Sequence, residues 1–233
     1  MAFNKNIHLI FLRRDEVVPP LFRGCERLVR NMHLSWNVTL WDEETGMQFL
    51  REYLPEYMEA YTSFSYNVQR ADFLRLALVY ALGGFYMDMD MLPLQPLDTL
   101  LSQSLVLAEE MTISETTRKE LNLKYCTRIA NYMFGGEAGH PFLQRLMNAM
   151  AERSSTKVVS QQEVLDITGP GLLTDTYWDN VDEFSDITLL RNEGWYVGMP
   201  DGRKETYLFG QYAVHLHVGS WRKEILTDIK IIC

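Results

Sequence analysis

Gly83-Gly84-Phe85-Tyr86-Met87-Asp88-Met89-Asp90 is the stretch on which the reading of this chain turns. A glycine pair stops a helix, because the residue just past a helix end often needs positive φ, which glycine alone takes freely. Phe85, Tyr86 and Met87 then read as a short buried strand. Asp88 and Asp90 are two apart, so on extended backbone both point to the same side. Paired carboxylates at the mouth of a strand suit a hard divalent cation, Mn2+ or Mg2+, and such ions are commonly shared between carboxylates and substrate phosphates. The octapeptide therefore predicts a metal-chelated phosphate or diphosphate ligand. An isolated Asp-x-Asp is common on solvated turns, so its weight comes from what surrounds it.

Upstream, residues 70–82 (Arg-Ala-Asp-Phe-Leu-Arg-Leu-Ala-Leu-Val-Tyr-Ala-Leu) are apolar around most of a helical circumference, which predicts a buried helix. Asp72 and Arg75 are three apart and share a face. Two readings stand: a local ion pair near the helix start, worth little, or a carboxylate and a guanidinium facing the same site as the aspartates. Strand patterns at residues 7–12 and 38–41 alternate with helical patterns around 22–32 and 44–53. That alternation predicts an α/β fold with a mainly parallel sheet covered on both faces. Ligands of such sheets bind beyond the carboxyl ends of the strands, so Phe11 and Leu12 at the first strand's end should meet the aspartate pair at one crevice.

Residues 70–98 as a whole resemble the sugar-binding region of the DXD glycosyltransferases of family thirty-two, which includes Och-type mannosyltransferases and capsular-polysaccharide sugar transferases. The large clostridial glucosylating toxins are more distant relatives of that family. Its pattern, S-D-x-x-R-x-x-x-L-x-x-x-G-G-x-Y-x-D-x-D, is matched in register by Asp72, Arg75, Gly83, Gly84, Tyr86, Asp88 and Asp90. Ala71 departs from it by losing a small hydroxyl, and Val79 by a mild apolar exchange. Further segments are similar in order: Asn6-Ile-His-Leu-Ile-Phe-Leu12, Trp36-Asn-Val-Thr-Leu-Trp-Asp-Glu43, Asn131 to Pro141, Thr168-Gly-Pro170, and His215-Leu-His-Val-Gly-Ser-Trp221.

The resemblance implies a single GT-A-type, Rossmann-like domain over residues 1–233, with a nucleotide-sugar half to about residue 100 and an acceptor-shaping half after it. It implies a metal-dependent retaining enzyme moving a hexose or N-acetylhexosamine from a nucleotide sugar, with uridine the expected base, to a saccharide or glycolipid-type acceptor. Asp88, Asp90 and, by analogy, His215 would hold Mn2+ or Mg2+; neutral imidazole suits Mn2+. Asp88 would lie closer to the sugar and ribose, while Asp72 and Arg75 would bind donor-sugar hydroxyls with Tyr86 packed nearby. Ser220 and Trp221 would close over the diphosphate, Trp221 donating toward the leaving oxygen. Phe11, beside Leu12, stands where relatives usually carry a tryptophan against the base. Asn131, Thr168 and Gly169 are sugar or acceptor candidates with a folding role equally open, and His217 reads as packing. No acidic residue announces itself as a covalent nucleophile, so departure and return on one face of the sugar is the mechanism the resemblance implies.

Composition excludes more than it selects. A net charge of −9 with no basic cluster argues against nucleic-acid binding and against docking on an anionic membrane. No stretch approaches the roughly 20 apolar residues that span a bilayer. The apolar run at residues 7–12 is too short for a signal-peptide core. Cys25, Cys126 and Cys233 are odd in number and scattered, which fits reduced thiols and a cytoplasmic workplace. Polar stretches at 111–124 and 152–163 read as exposed helices or loops. Two rival functions remain on the sequence alone. One is a non-catalytic sugar-nucleotide-binding descendant of the fold. The other is an Asp-x-Asp phosphotransferase, disfavoured because such enzymes place the pair directly after their first strand.

Overall fold

The computed structural model describes residues 3–13, 16–191, 197–198, 204–205 and 208–219. In chain order, strand β1 (Asn6–Ile10) leads to helix α1 (Pro20–Met32), which starts with proline at its first position, where the missing N–H costs nothing. Strand β2 (Asn37–Trp41) follows, then α2 (Glu43–Tyr53), capped by Asp42 in a reciprocal pair with Thr45. Short α3 (Met58–Ser63) precedes α4 (Asn67–Leu82), which is buried along most of its length. Strands β3 (Gly84–Met87), β4 (Met91–Pro93) and β5 (Leu105–Thr112) come next, followed by α5 (Glu115–Glu120), β6 (Thr127–Ile129) and β7 (Met133–Gly136). The later elements are α6 (Pro141–Glu152), α7 (Gln161–Ile167), α8 (Pro170–Asp179) and β8 (Ile187–Leu190), then the short strands β9 (Val197–Gly198), β10 (Lys204–Glu205), β11 (Leu208–Phe209) and β12 (Ala213–His215).

The central sheet is mixed but mostly parallel. β2, β1 and β3 lie side by side in one direction, β7 runs against β3 and β5, and β8 runs with β5. Strand residues alternate strictly between two apolar layers. His8 and Ile10, Tyr86, and Leu105 and Leu107 face the layer built on α2, α4, α6 and α8; Ile7 and Leu9, Phe85 and Met87, and Val106 and Ala108 face the layer built on α1. Burial on both faces is what makes these strands read as nearly unbroken apolar runs. A small three-stranded sheet, β11-β12-β4, closes one end. The sheet thus threads both parts of the chain, with β7 and β5 of the later part beside β3 of the earlier.

Two positions in this frame demand glycine. Gly83 ends α4 at φ 67°, its N–H bonded to the Val79 carbonyl at 2.9 Å. Gly84 has φ 100° and presses against β1: a Cβ there would stand 2.3 Å from the Asn6 carbonyl oxygen. His8 fixes this turn from below. The Trp41 indole N–H donates to its Nδ1 at 3.3 Å, so Nε2 carries the proton and donates to the Gly83 carbonyl at 3.0 Å. Burial drives the His8 ring down to about 4, against the opposing pull of the Gly83 carbonyl, and keeps it neutral.

Two sequence expectations change in detail. Asp88 and Asp90 are not on extended backbone: β3 stops at Met87, and a turn closes with the Met91 N–H on the Asp88 carbonyl at 3.2 Å. Met111, at the start of the stretch read as polar and exposed, is a buried residue near the end of β5.

Gly84→Ala should lower stability by about 1–3 kcal/mol, since neither the positive φ nor the Asn6 backbone can yield cheaply. Urea unfolding of the variant against the parent measures it; an unchanged midpoint shows that the β1–β3 approach relaxes without cost.

Candidate metal and sugar-nucleotide site

The cleft lies at the carboxyl ends of β1 and β3, where residues 10–13 meet the Asp88–Asp90 turn, and has a volume of about 430 Å3. Phe11 and Leu12 leave β1 here, Phe11 donating its N–H to the Trp41 carbonyl at 2.8 Å and turning its ring edge-on to Phe22. Phe11 and Arg13 also border an adjoining basin lined by Asp42, Glu43, Glu44 and Arg51 at the end of β2.

Asp88, Asp90 and His215 come together although 125 residues separate the last two. The ladder between β4 and β12, with His215 opposite Met91, does this. His215 Nε2 stands 3.1 Å from an Asp90 oxygen and 3.5 Å from an Asp88 oxygen, and one donor atom from each residue lies within 4.8 Å of the others. The second Asp90 oxygen accepts the Val218 N–H at 2.9 Å, and the Asp90 carbonyl accepts the Leu216 N–H at 3.0 Å. Two carboxylate oxygens and one imidazole nitrogen converging so closely fit a Mn2+- or Mg2+-sized ion, with the remaining positions left to water or phosphate.

Electrostatics agree with that fit. Burial raises the Asp88 carboxyl, Arg75 and His215 opposing it and the Asp90 charge adding to it. Burial also works against the Asp90 charge, but the hydrogen bond and charge of His215 and the Val218 N–H overcome it and hold Asp90 low. Burial disfavours His215 as imidazolium, yet its bond to Asp90 and the charges of Asp88, Asp90 and Glu110 raise it above its ordinary value. The trio carries an excess of negative charge that a proton on His215 relieves only in part.

Asp72 and Arg75, one turn apart on α4, are both buried and both line the cleft. Asp72 accepts from the Asn131 amide at 3.1 Å and the Thr168 hydroxyl at 2.9 Å, and pairs with Arg75 at 3.1 Å. Burial raises the Asp72 carboxyl to about 7, against Arg75 and Thr168, which favour its charge. Arg75 also donates to the Asn131 carbonyl at 2.6 Å, stands 3.5 Å from Asp88 and lies over the Tyr86 ring at 4.5 Å. Tyr86 in turn donates its hydroxyl to the same Asp88 oxygen. The pair on α4 is therefore continuous with the aspartate turn, and the reading of an isolated ion pair near the helix start does not hold. Asn131 bonds Asp72 and lines the cleft itself, Thr168 reaches the site only through Asp72, and Gly169 is the cap of α8 behind it.

Ser220 and Trp221 lie outside the described residues. Sequence reading passed over Glu110, Arg128 and Tyr132, all in the cleft wall, because nothing in the linear order of β5, β6 and β7 says which side chains a bent sheet turns inward. His217, read as packing, also lines the cleft, its ring 4.1 Å from that of His215 and its φ at 52°.

Asp90→Asn should remove the metal response of the protein and lower its metal-free stability by about 1–3 kcal/mol, since bonds to His215 and the Val218 N–H weaken. Calorimetric titration with Mn2+ and unfolding without it check the two halves; undiminished Mn2+ binding excludes Asp90 as a ligand. A folded-state value raised above 6.5 means that protonated His215 stabilises the metal-free fold below 6.5, and that this stability is lost as pH rises through the raised value. Because a metal requires the neutral ring, the thermal shift given by Mn2+ should grow over that same rising window. A Mn2+ shift independent of pH there removes His215 from the ligand set.

Comparison with known proteins agrees with this geometry. Residues 19–107 match the glycosyltransferase sugar-binding region containing the DXD motif. Inositol phosphoceramide mannosyltransferase 3 of Schizosaccharomyces pombe is 25% identical over 173 residues, covering 74% of this chain and 44% of that protein. The initiation-specific alpha-1,6-mannosyltransferase of Candida albicans is 25% identical over 230 residues, covering 76% of this chain and 60% of that protein. The chain thus spans about half the length of the curated relatives it matches. Among solved structures, PaToxG glycosyltransferase superposes with a TM-score of 0.52 at 14% identity, over 78% of this chain and 71% of that one, which speaks for the fold alone. With the aspartate turn and the α4 pair inside the matched region, the chain carries a glycosyltransferase sugar-binding region containing the DXD motif on a GT-A-type fold.

Proposed function

We propose that this protein is a metal-dependent retaining glycosyltransferase that moves a hexose from a nucleotide diphosphate sugar to a hydroxyl of a saccharide or glycolipid acceptor. The observation that carries the proposal is the convergence of Asp88, Asp90 and His215 at the strand ends, beside the exit of β1. A divalent cation bound there would neutralise charge gathering on the departing diphosphate. The chain's own residues do the rest. Phe11 offers an aromatic face for the base at the end of β1. Asp88, oriented by Tyr86 and Arg75, accepts hydroxyl hydrogen bonds of the sugar or ribose. Asp72 and Arg75 give the sugar a wall whose side chains are already fixed by Asn131 and Thr168, so little rotamer entropy is lost on binding. In the transfer, the bond from the anomeric carbon to the phosphate oxygen breaks and one to the acceptor oxygen forms on the same face. The acceptor proton passes to the departing phosphate, and the nucleoside diphosphate leaves.

The mannosyl names of the relatives favour mannose as the sugar, whereas the sequence reading favoured a uridine-linked donor. A thermal-shift panel of GDP-mannose, UDP-glucose, UDP-galactose and UDP-GlcNAc, each with and without Mn2+, separates these. The true donor at about one hundred times its Kd should raise the unfolding temperature by roughly 5–10 °C, and only with the metal. It should also be hydrolysed slowly without acceptor. Binding without any Mn2+-dependent hydrolysis marks a non-catalytic sugar-nucleotide protein instead. With the donor in hand, Phe11→Ala should weaken nucleotide binding by about 1–3 kcal/mol and leave the metal requirement unchanged. Unaltered affinity in that variant moves the base to the basin at the end of β2.

A further inference from the structure

Across the cleft from the base end, β5 carries a β-bulge. Glu109 is opposite Ile129 and Met111 opposite Arg128, so Glu110 has no residue opposite it in the β5–β6 register. A bulge of this kind re-aims one side chain and is found preferentially beside active sites. Here it turns Glu110 into the cleft, where it pairs with Arg128 at 2.8 Å; both side chains remain only partly exposed. Glu110 is near enough to the metal trio for its charge to act on His215. A charged pair on the wall of a ligand cleft, placed there by an irregular strand, has no folding role that an apolar pair would not fill as well or better.

Position along the sheet says which substrate it meets. The order β1-β3-β7-β5 sets β5 three strands from β1, roughly 14 Å at the usual spacing, with the aspartate turn after β3 between them. A donor with its base at Phe11 and its diphosphate at Asp88 and Asp90 leaves the β5–β6 side to whatever receives the sugar. We infer that Glu110 and Arg128 form the acceptor subsite, and that it takes a neutral polyhydroxylated ring. The carboxylate accepts one ring hydroxyl and the guanidinium donates to a neighbouring hydroxyl. Because the two charges cancel, the subsite has no net attraction for a phosphate or carboxylate on the acceptor. This inference rests on the glycosyl-transfer reading above.

The test compares two fates of one donor. The nucleotide sugar identified by the thermal panel is supplied with methyl α-mannoside, methyl α-glucoside, myo-inositol or mannose-6-phosphate, and both hydrolysis and glycoside formation are measured. Glu110→Gln and Arg128→Gln should each cut glycoside formation about tenfold, as a raised KM for the acceptor, the loss expected for one charge-assisted hydrogen bond. Donor hydrolysis, read at saturating Mn2+ so that losing the Glu110 charge near His215 does not limit metal loading, should stay within about twofold of the parent. The double variant leaves no unpaired charge and guards against misfolding; it should show the same split with a cooperative thermal transition. Equal falls in hydrolysis and transfer, or transfer unaltered in all three variants, overturn the subsite. So does a parent enzyme whose sugar no neutral probe diverts from water, or one that prefers mannose-6-phosphate to methyl α-mannoside. A parent that hydrolyses no donor overturns the glycosyl-transfer reading itself.

Discussion

The cleft depends on one close approach, that of Gly84 to β1. Where α4 ends, the chain must reverse into β3 with its backbone against the Asn6 carbonyl, in a space where a methyl group would overlap an oxygen. Two successive positive φ values make the reversal, and His8, held neutral by burial, pins the Gly83 carbonyl from the neighbouring strand. Because β3 is only four residues long, any shift at its start is passed whole to its end, where Asp88 begins the aspartate turn. A core of interleaved side chains does not deform gradually, so the position of the aspartates is set about 10 Å away by glycine and histidine packing.

A second dependence is electrostatic. Asp72, Arg75, Asp88, Asp90 and His215 place three carboxylates, a guanidinium and an imidazole in a largely buried volume. Buried charges are costly unless each oxygen and N–H finds a partner. Here Asn131, Thr168, Tyr86 and the Val218 N–H supply the missing bonds. Those partners come from the end of α7, β3, the segment before β7 and the segment after β12, so the network also ties the later part of the chain to the earlier. An arrangement with this much unrelieved negative charge around Asp88 and Asp90 is a poor way to stabilise a fold and a good way to attract a cation.

Much of this was legible in the linear sequence because it is local. The helix of residues 67–82, its glycine stop, the short strand and the aspartates follow one another without interruption, and every inference about them needs only spacing and side-chain chemistry. Phe11 and Leu12 were equally accessible, since parallel strands must present their carboxyl ends to a common crevice. The alternation of strand and helix patterns likewise announced the sheet, though not the reversal of β7, whose Met-Phe-Gly-Gly carries too little pattern to assign a direction.

What the sequence by itself determined, then, is the aspartate turn, the helix that leads into it and the kind of fold that surrounds them. Tertiary structure decided how the site is completed, where the sequence had offered His215 only through the family resemblance. His215 joins Asp90 through the β4–β12 ladder across 125 residues, and a long-range pairing of two three-residue strands leaves no periodic trace. Asp72 proved continuous with Asp88 because Arg75 and Tyr86 stack between them, a geometry set by the packing of α4 on β3. Glu110 and Arg128 reached the cleft through a bulge, and a bulge is a mismatch between two strands that neither strand's own sequence contains.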